Sequence, residues 1–80
     1  MTAAAKILGM MRNNPKGWRI EDLKSVALRY DIGYRQPGTS HVTFRHPSGA
    51  KLTVPARKPI KPIYVKKFLE LIDEVTDEKD

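Results

Sequence analysis

The chain contains no cysteine, which excludes disulfides and thiolate metal sites. It has only two histidines, His41 and His46. They lie in a strand-like stretch at a spacing that puts them on opposite faces of a sheet, which argues against a metal site. No apolar run approaches the roughly 18–20 residues that a membrane span needs. The stretch from Met1 to Gly9 also lacks the apolar core of a signal peptide. These absences predict a cytoplasmic protein with no membrane partner. A more informative absence is that of carboxylates from the middle of the chain. Residues 33–67 contain no Asp or Glu but eight Lys or Arg, whereas residues 68–80 hold six acids and one lysine. The net charge of +6 conceals this segregation. A carboxylate-free block of that length is the electrostatic footprint expected for a polyanion, most simply nucleic acid, the plain alternative being a solvated basic surface.

The length, 80 residues, allows one domain with one modest core, because a chain of this size buries only about 60–65% of its unfolded surface. That core is organised around residues 38–55. Residues 41–46 alternate apolar with polar or basic, Pro47-Ser48-Gly49 is turn chemistry, and Lys51-Leu52-Thr53-Val54 alternates again. The pattern predicts two short antiparallel strands. Val42 and Phe44 share one side with Leu52 and Val54 as cross-strand partners, while His41, Thr43, Arg45, Lys51 and Thr53 point to the other.

The rest of the chain extends this hairpin. Ala4, Ile7, Leu8 and Met11 form one stripe of a helix over 3–13, which Asn13-Asn14-Pro15-Lys16-Gly17 breaks. The helix can pack on the core or serve as an interface. Trp18 reads as a packing anchor ahead of a second helix carrying Ile20, Leu23, Val26, Ala27 and Tyr30 on one face, ended by Asp31-Ile32-Gly33. A first strand over 33–36 follows, with Ile32 and Tyr34 facing the core and Arg35 on the open face near His41. Residues 55–62 carry three prolines and form a stiff, basic connector. Pro62 opens a last helix with Val65, Phe68, Leu69, Ile72 and Val75 on its apolar stripe. The expected architecture is α+β and two-layered: a three-stranded antiparallel sheet with the last two helices on one face, plus an extra N-terminal helix. Residues 1–17 read as a helical extension, 18–76 as the domain and 77–80 as a disordered tail.

Thr39-Ser40-His41, Phe44-Arg45-His46-Pro47, Gly49, Val54-Pro55 and the lysine-proline connector before a terminal helix resemble the HicA-type mRNA interferase toxins of bacterial toxin–antitoxin systems. The resemblance covers about residues 19–75 and is tightest over 35–62. It implies a double-stranded-RNA-binding-domain-like α-β-β-β-α fold. It also implies a metal-independent endoribonuclease that needs no cofactor, cuts mRNA and is neutralised by a HicB-type antitoxin. The family's catalytic histidine follows a Gly-Ser pair at the start of the second strand, which corresponds to His41. Thr39 stands where the glycine is usual, with Gly38 one place earlier. His46, on the opposite strand parity, reads as a structural residue of the turn.

The implied chemistry is sound for these residue types. RNA carries its own nucleophile, so cleavage needs removal of the 2′-OH proton, protonation of the leaving 5′-oxygen and stabilisation of phosphorane charge. Histidine suits the proton work. Arg35, Arg45 and Lys51 would hold the phosphate, Ser40 and Thr43 would contact the RNA backbone, and Lys58 and Lys61 would add phosphate contacts from the connector. Two alternatives stand beside the enzyme: a non-catalytic RNA-binding module on the same fold, and a protein whose open face binds an acidic partner.

Overall fold

A computed structural model describes residues 3–38 and 40–76; Thr39, where the chain departs from the family pattern, and the tail at 77–80 lie outside the described residues. The elements run α1 (Ala3–Asn13), α2 (Ile20–Arg29), β1 (Gly33–Arg35), β2 (His41–Arg45), β3 (Lys51–Pro55) and α3 (Pro62–Thr76). The strands form one antiparallel sheet in the order β1-β2-β3. Val42 pairs with Val54 and Phe44 with Leu52, so the apolar side chains meet across the hairpin as the alternation requires. Among the described residues no helix is long and apolar enough to cross a membrane.

The core lies between the apolar sheet face and the helices. Phe44 stacks at a tilt on Phe68 of α3, ring centroids 5.2 Å apart, and both are fully buried. α2 packs beside β1 and α3 beside β3, while α1 lies against α2 and α3 rather than against the sheet. Leu8 and Met11 of α1 are buried in the same core as the sheet residues. Met11 is 0% exposed, so α1 is a structural part of the packing. An ion pair between Arg12 and Asp73 ties its end to α3 at the surface; the Asp73 hydrogen bond raises the Arg12 pKa, keeping that group cationic. No polar or charged side chain among the described residues is buried.

Three local devices fix the chain's path. At the start of α2, Arg19 has no acceptor side chain to cap the helix, and the Asp22 carboxylate instead accepts from the Arg19 N–H at 3.0 Å. At its end the Ile32 N–H donates to the Ala27 carbonyl at 2.9 Å, with Asp31 in the left-handed region at φ 60°. This is a Schellman-type stop whose glycine position is held by an aspartate. In the β2–β3 turn, the Ser48 N–H donates to His46 Nδ1 at 3.1 Å, and the His46 N–H donates to the Ala50 carbonyl at 2.8 Å. His46 therefore organises the turn.

Two expectations are corrected. Tyr34 shares the Phe44 side of the sheet, with ring centroids 6.1 Å apart, but it is 39% exposed because β1 is an edge strand three residues long. Lys24 covers its ring, Nζ lying 5.0 Å from the centroid. The connector is also more than a stiff basic strap. Ile60 is fully buried in the core, and its N–H donates to the Trp18 carbonyl at 2.8 Å.

Candidate active site

The residues singled out in the sequence separate into distinct places. Strand alternation exposes His41 and Arg45 and leaves Thr43 half-buried, all three opposite Val42 and Phe44. Arg35 pairs in register with Thr43, not with His41. It therefore belongs one step further along the sheet than expected.

His41 sits where β2 begins and β3 ends, directly across from Pro55. The Ala56 N–H donates to the Ser40 carbonyl at 2.8 Å and locks that end of the hairpin. The connector then turns sharply, the Arg57 N–H donating to the Pro55 carbonyl at 2.9 Å, and brings α3 alongside. The result is a cleft of about 360 Å³ formed by Ser40, His41, Pro55, Ala56, Arg57, Lys61 and Tyr64, a volume within the range of small-ligand sites. It contains one imidazole, one guanidinium, one ammonium and one phenol, and no carboxylate. Ser40, His41, Arg57 and Lys61 are exposed, while Tyr64 is half-buried against the core.

Of the expected site residues, this cleft gathers His41, Ser40 and Lys61. Arg35, Thr43 and Arg45 line a separate concavity on the open face with Gly33, Tyr34 and Pro37. The Thr43 hydroxyl is engaged with the Thr53 hydroxyl at 3.1 Å. Lys51 lies in a separate groove with Lys67, Glu70 and Glu74, where two carboxylates offset the two ammonium groups. Lys58 faces Gly17 and Arg19 across the connector.

Two members of the cleft, Arg57 and Tyr64, are absent from the sequence-based set. Arg57 carried a usable signal, since it lies in the carboxylate-free block two residues after a strand end. Tyr64 carried none, because it sits one position before the apolar stripe of α3 and joins His41 only through the path of the connector.

The arrangement has a clear chemical capacity. An exposed imidazole can exchange a proton with a bound phosphodiester, and Arg57 and Lys61 on the same cleft can neutralise oxygens that gain charge. Tyr64 adds a hydroxyl that can donate a hydrogen bond and a ring on which a base can stack. The walls supply no opposing negative charge. Comparison of the chain with family models, with curated proteins and with solved structures gave no match.

Proposed function

We propose that the chain is a HicA-like toxin with a double-stranded-RNA-binding-domain-like fold: a metal-independent endoribonuclease that cleaves mRNA and is held in check by a HicB-type antitoxin. The observation that supports it best is the cleft itself, in which the histidine matching the family motif meets Arg57, Lys61 and Tyr64 with no carboxylate among the walls. In this reading His41 moves the proton of the 2′-OH or of the leaving oxygen. Arg57 and Lys61 stabilise the phosphorane, and Tyr64 supplies the second hydrogen-bonding group that a single histidine lacks. The family resemblance supplies the antitoxin; the RNA itself supplies the nucleophile, so the chemistry requires no metal-bound water.

The test is a time course on long single-stranded RNA with EDTA present, comparing wild type with His41→Ala. Cleavage by wild type alone supports the reading. Equal cleavage by both refutes the assignment of His41, and binding without cleavage by either points to a non-catalytic RNA-binding module.

A further inference from the structure

A second concavity lies away from His41. It occupies about 520 Å³ on the open sheet face over Gly33, between Arg35 and Arg45, and its lining is more apolar than polar. Gly33 stands directly opposite Arg45 in the β1–β2 ladder, and Arg35 opposite Thr43. The two arginines are therefore diagonal neighbours that flank a position with no side chain.

Nothing in the fold requires glycine there. The left-handed residue of the α2 stop is Asp31, at φ 60°, whereas Gly33 is strand backbone outside the left-handed region. A Cβ placed on Gly33 would meet nothing nearer than the Arg45 carbonyl oxygen at 4.0 Å, an ordinary contact. Glycine inside a strand weakens it and packs nothing, and one common reason to find it is close approach of a ligand to the backbone. Here the chain places glycine where geometry does not need it and aspartate where glycine would fit.

We propose that this notch receives one nucleobase of a single-stranded RNA whose backbone runs on to the His41 cleft, an inference that rests on the ribonuclease reading above. A planar ring fits a site whose floor is bare backbone, at Gly33 and along Tyr34, and whose lining includes Pro37. Guanidinium planes stack on base faces and donate to base edges, so Arg35 and Arg45 suit a base as well as its phosphate. A phosphate alone would be matched by the arginines but not by the apolar remainder of the lining. His41 and Arg45 are four residues apart on β2, about 13 Å along the strand, so the bound base would flank the cleaved bond rather than carry it. The notch would then contribute to sequence preference, while the cleft performs the chemistry.

The experiment measures binding of wild type and Gly33→Val to a single-stranded RNA oligonucleotide and to an abasic oligonucleotide of equal length, at fixed salt. Wild type is expected to prefer the base-bearing strand. Gly33→Val is expected to lose about tenfold of that preference, as for one lost stacking contact, with affinity for the abasic strand retained. Its melting temperature should equal or exceed that of wild type, since valine favours strands. Gly33→Ala, which adds a single methyl group in ordinary contact with the Arg45 carbonyl oxygen, carries the same test with a smaller loss if valine disturbs the edge strand. An undiminished preference in both variants, or no preference in wild type, overturns the notch and leaves the His41 reading intact. Failure of wild type to bind either strand overturns the RNA reading and the notch with it.

Discussion

Ile60 should matter more than any other residue of the connector. It is the one fully buried side chain between the end of β3 and the start of α3, and Arg57 and Lys61 flank it in sequence. Replacing it with alanine removes most of a buried side chain from a packed core, which costs about 2–5 kcal/mol. The backbone hydrogen bond to Trp18 is untouched by the change. A domain of this length has a total stability of about 4–12 kcal/mol, so Ile60→Ala should fold but with a large fraction of its margin gone. Urea unfolding followed by the fluorescence of the single tryptophan, Trp18, is a suitable assay. A loss of about 3 kcal/mol over a slope of about 1.5 kcal/mol/M lowers the midpoint by about 2 M. Lys58→Ala, an exposed change two residues away, should stay within about 0.5 kcal/mol of wild type. A midpoint shift below about 0.5 M for Ile60→Ala, comparable with that control, would refute the reasoning that the connector is nailed to the core at this point. If the chain is the ribonuclease proposed, its RNA cleavage measured well below the midpoint should also fall, because Arg57 and Lys61 are positioned beside His41 through this anchor.

Two further substitutions test the helix ends. Asp31→Gly should raise stability by about 0.5 kcal/mol, or some 2–4 °C in melting temperature, by relieving the left-handed aspartate. An unchanged or lower melting temperature would show that the carboxylate itself supports the end of α2. Lys61 occupies the N-cap of α3, its carbonyl accepting from the Tyr64 and Val65 N–H groups. Lys61→Ser should therefore stabilise the fold by about 1 kcal/mol by supplying a capping oxygen. The same variant should bind single-stranded RNA with a log affinity against log salt slope shallower by about 0.7, one phosphate contact fewer. A salt slope identical to that of wild type would remove Lys61 from the RNA surface.

Much of the framework was legible because it rests on periodicity. The alternation of Val42, Phe44, Leu52 and Val54 specifies the hairpin and its register, and the stripe of Val65, Phe68, Leu69, Ile72 and Val75 specifies the buried face of α3. Edge effects were not legible. Tyr34 has the parity of a core residue, but parity says nothing of how little sheet lies beyond β1. The candidate site was legible only in part, for a related reason. Strand parity places His41, Thr43 and Arg45 on one surface, and the eye then joins them into one site. What separates them is the connector, which carries Arg57, Lys61 and Tyr64 to the His41 end alone. Its course depends on Ile60, a lone apolar residue among prolines and cations that no period marks.

The charge layout of α3 gives a physical reason for the cleft's position. The helix has no acid in its first turn and no base in its last. Lys66 and Lys67 lie in its first half, and Glu70, Asp73 and Glu74 in its second. This is the reverse of what the helix dipole favours, where each well-placed terminal charge contributes about 0.3–1 kcal/mol. A lysine at the N-cap adds to the mismatch, because it offers no acceptor to the free amide groups. The helix is thus tuned against its own stability, and Arg12 offsets part of that by pairing with Asp73. The same layout serves a different end well. The positive end of the dipole, Arg57 and Lys61 lie at the mouth that holds His41, while the acids are kept toward the opposite end. A local rule broken without local compensation is expected where function has set the sequence. Here the reversed helix keeps Glu70, Asp73 and Glu74 away from the His41 cleft, whose lining holds Arg57 and Lys61 and no carboxylate, a field suited to a phosphodiester gathering charge in its transition state.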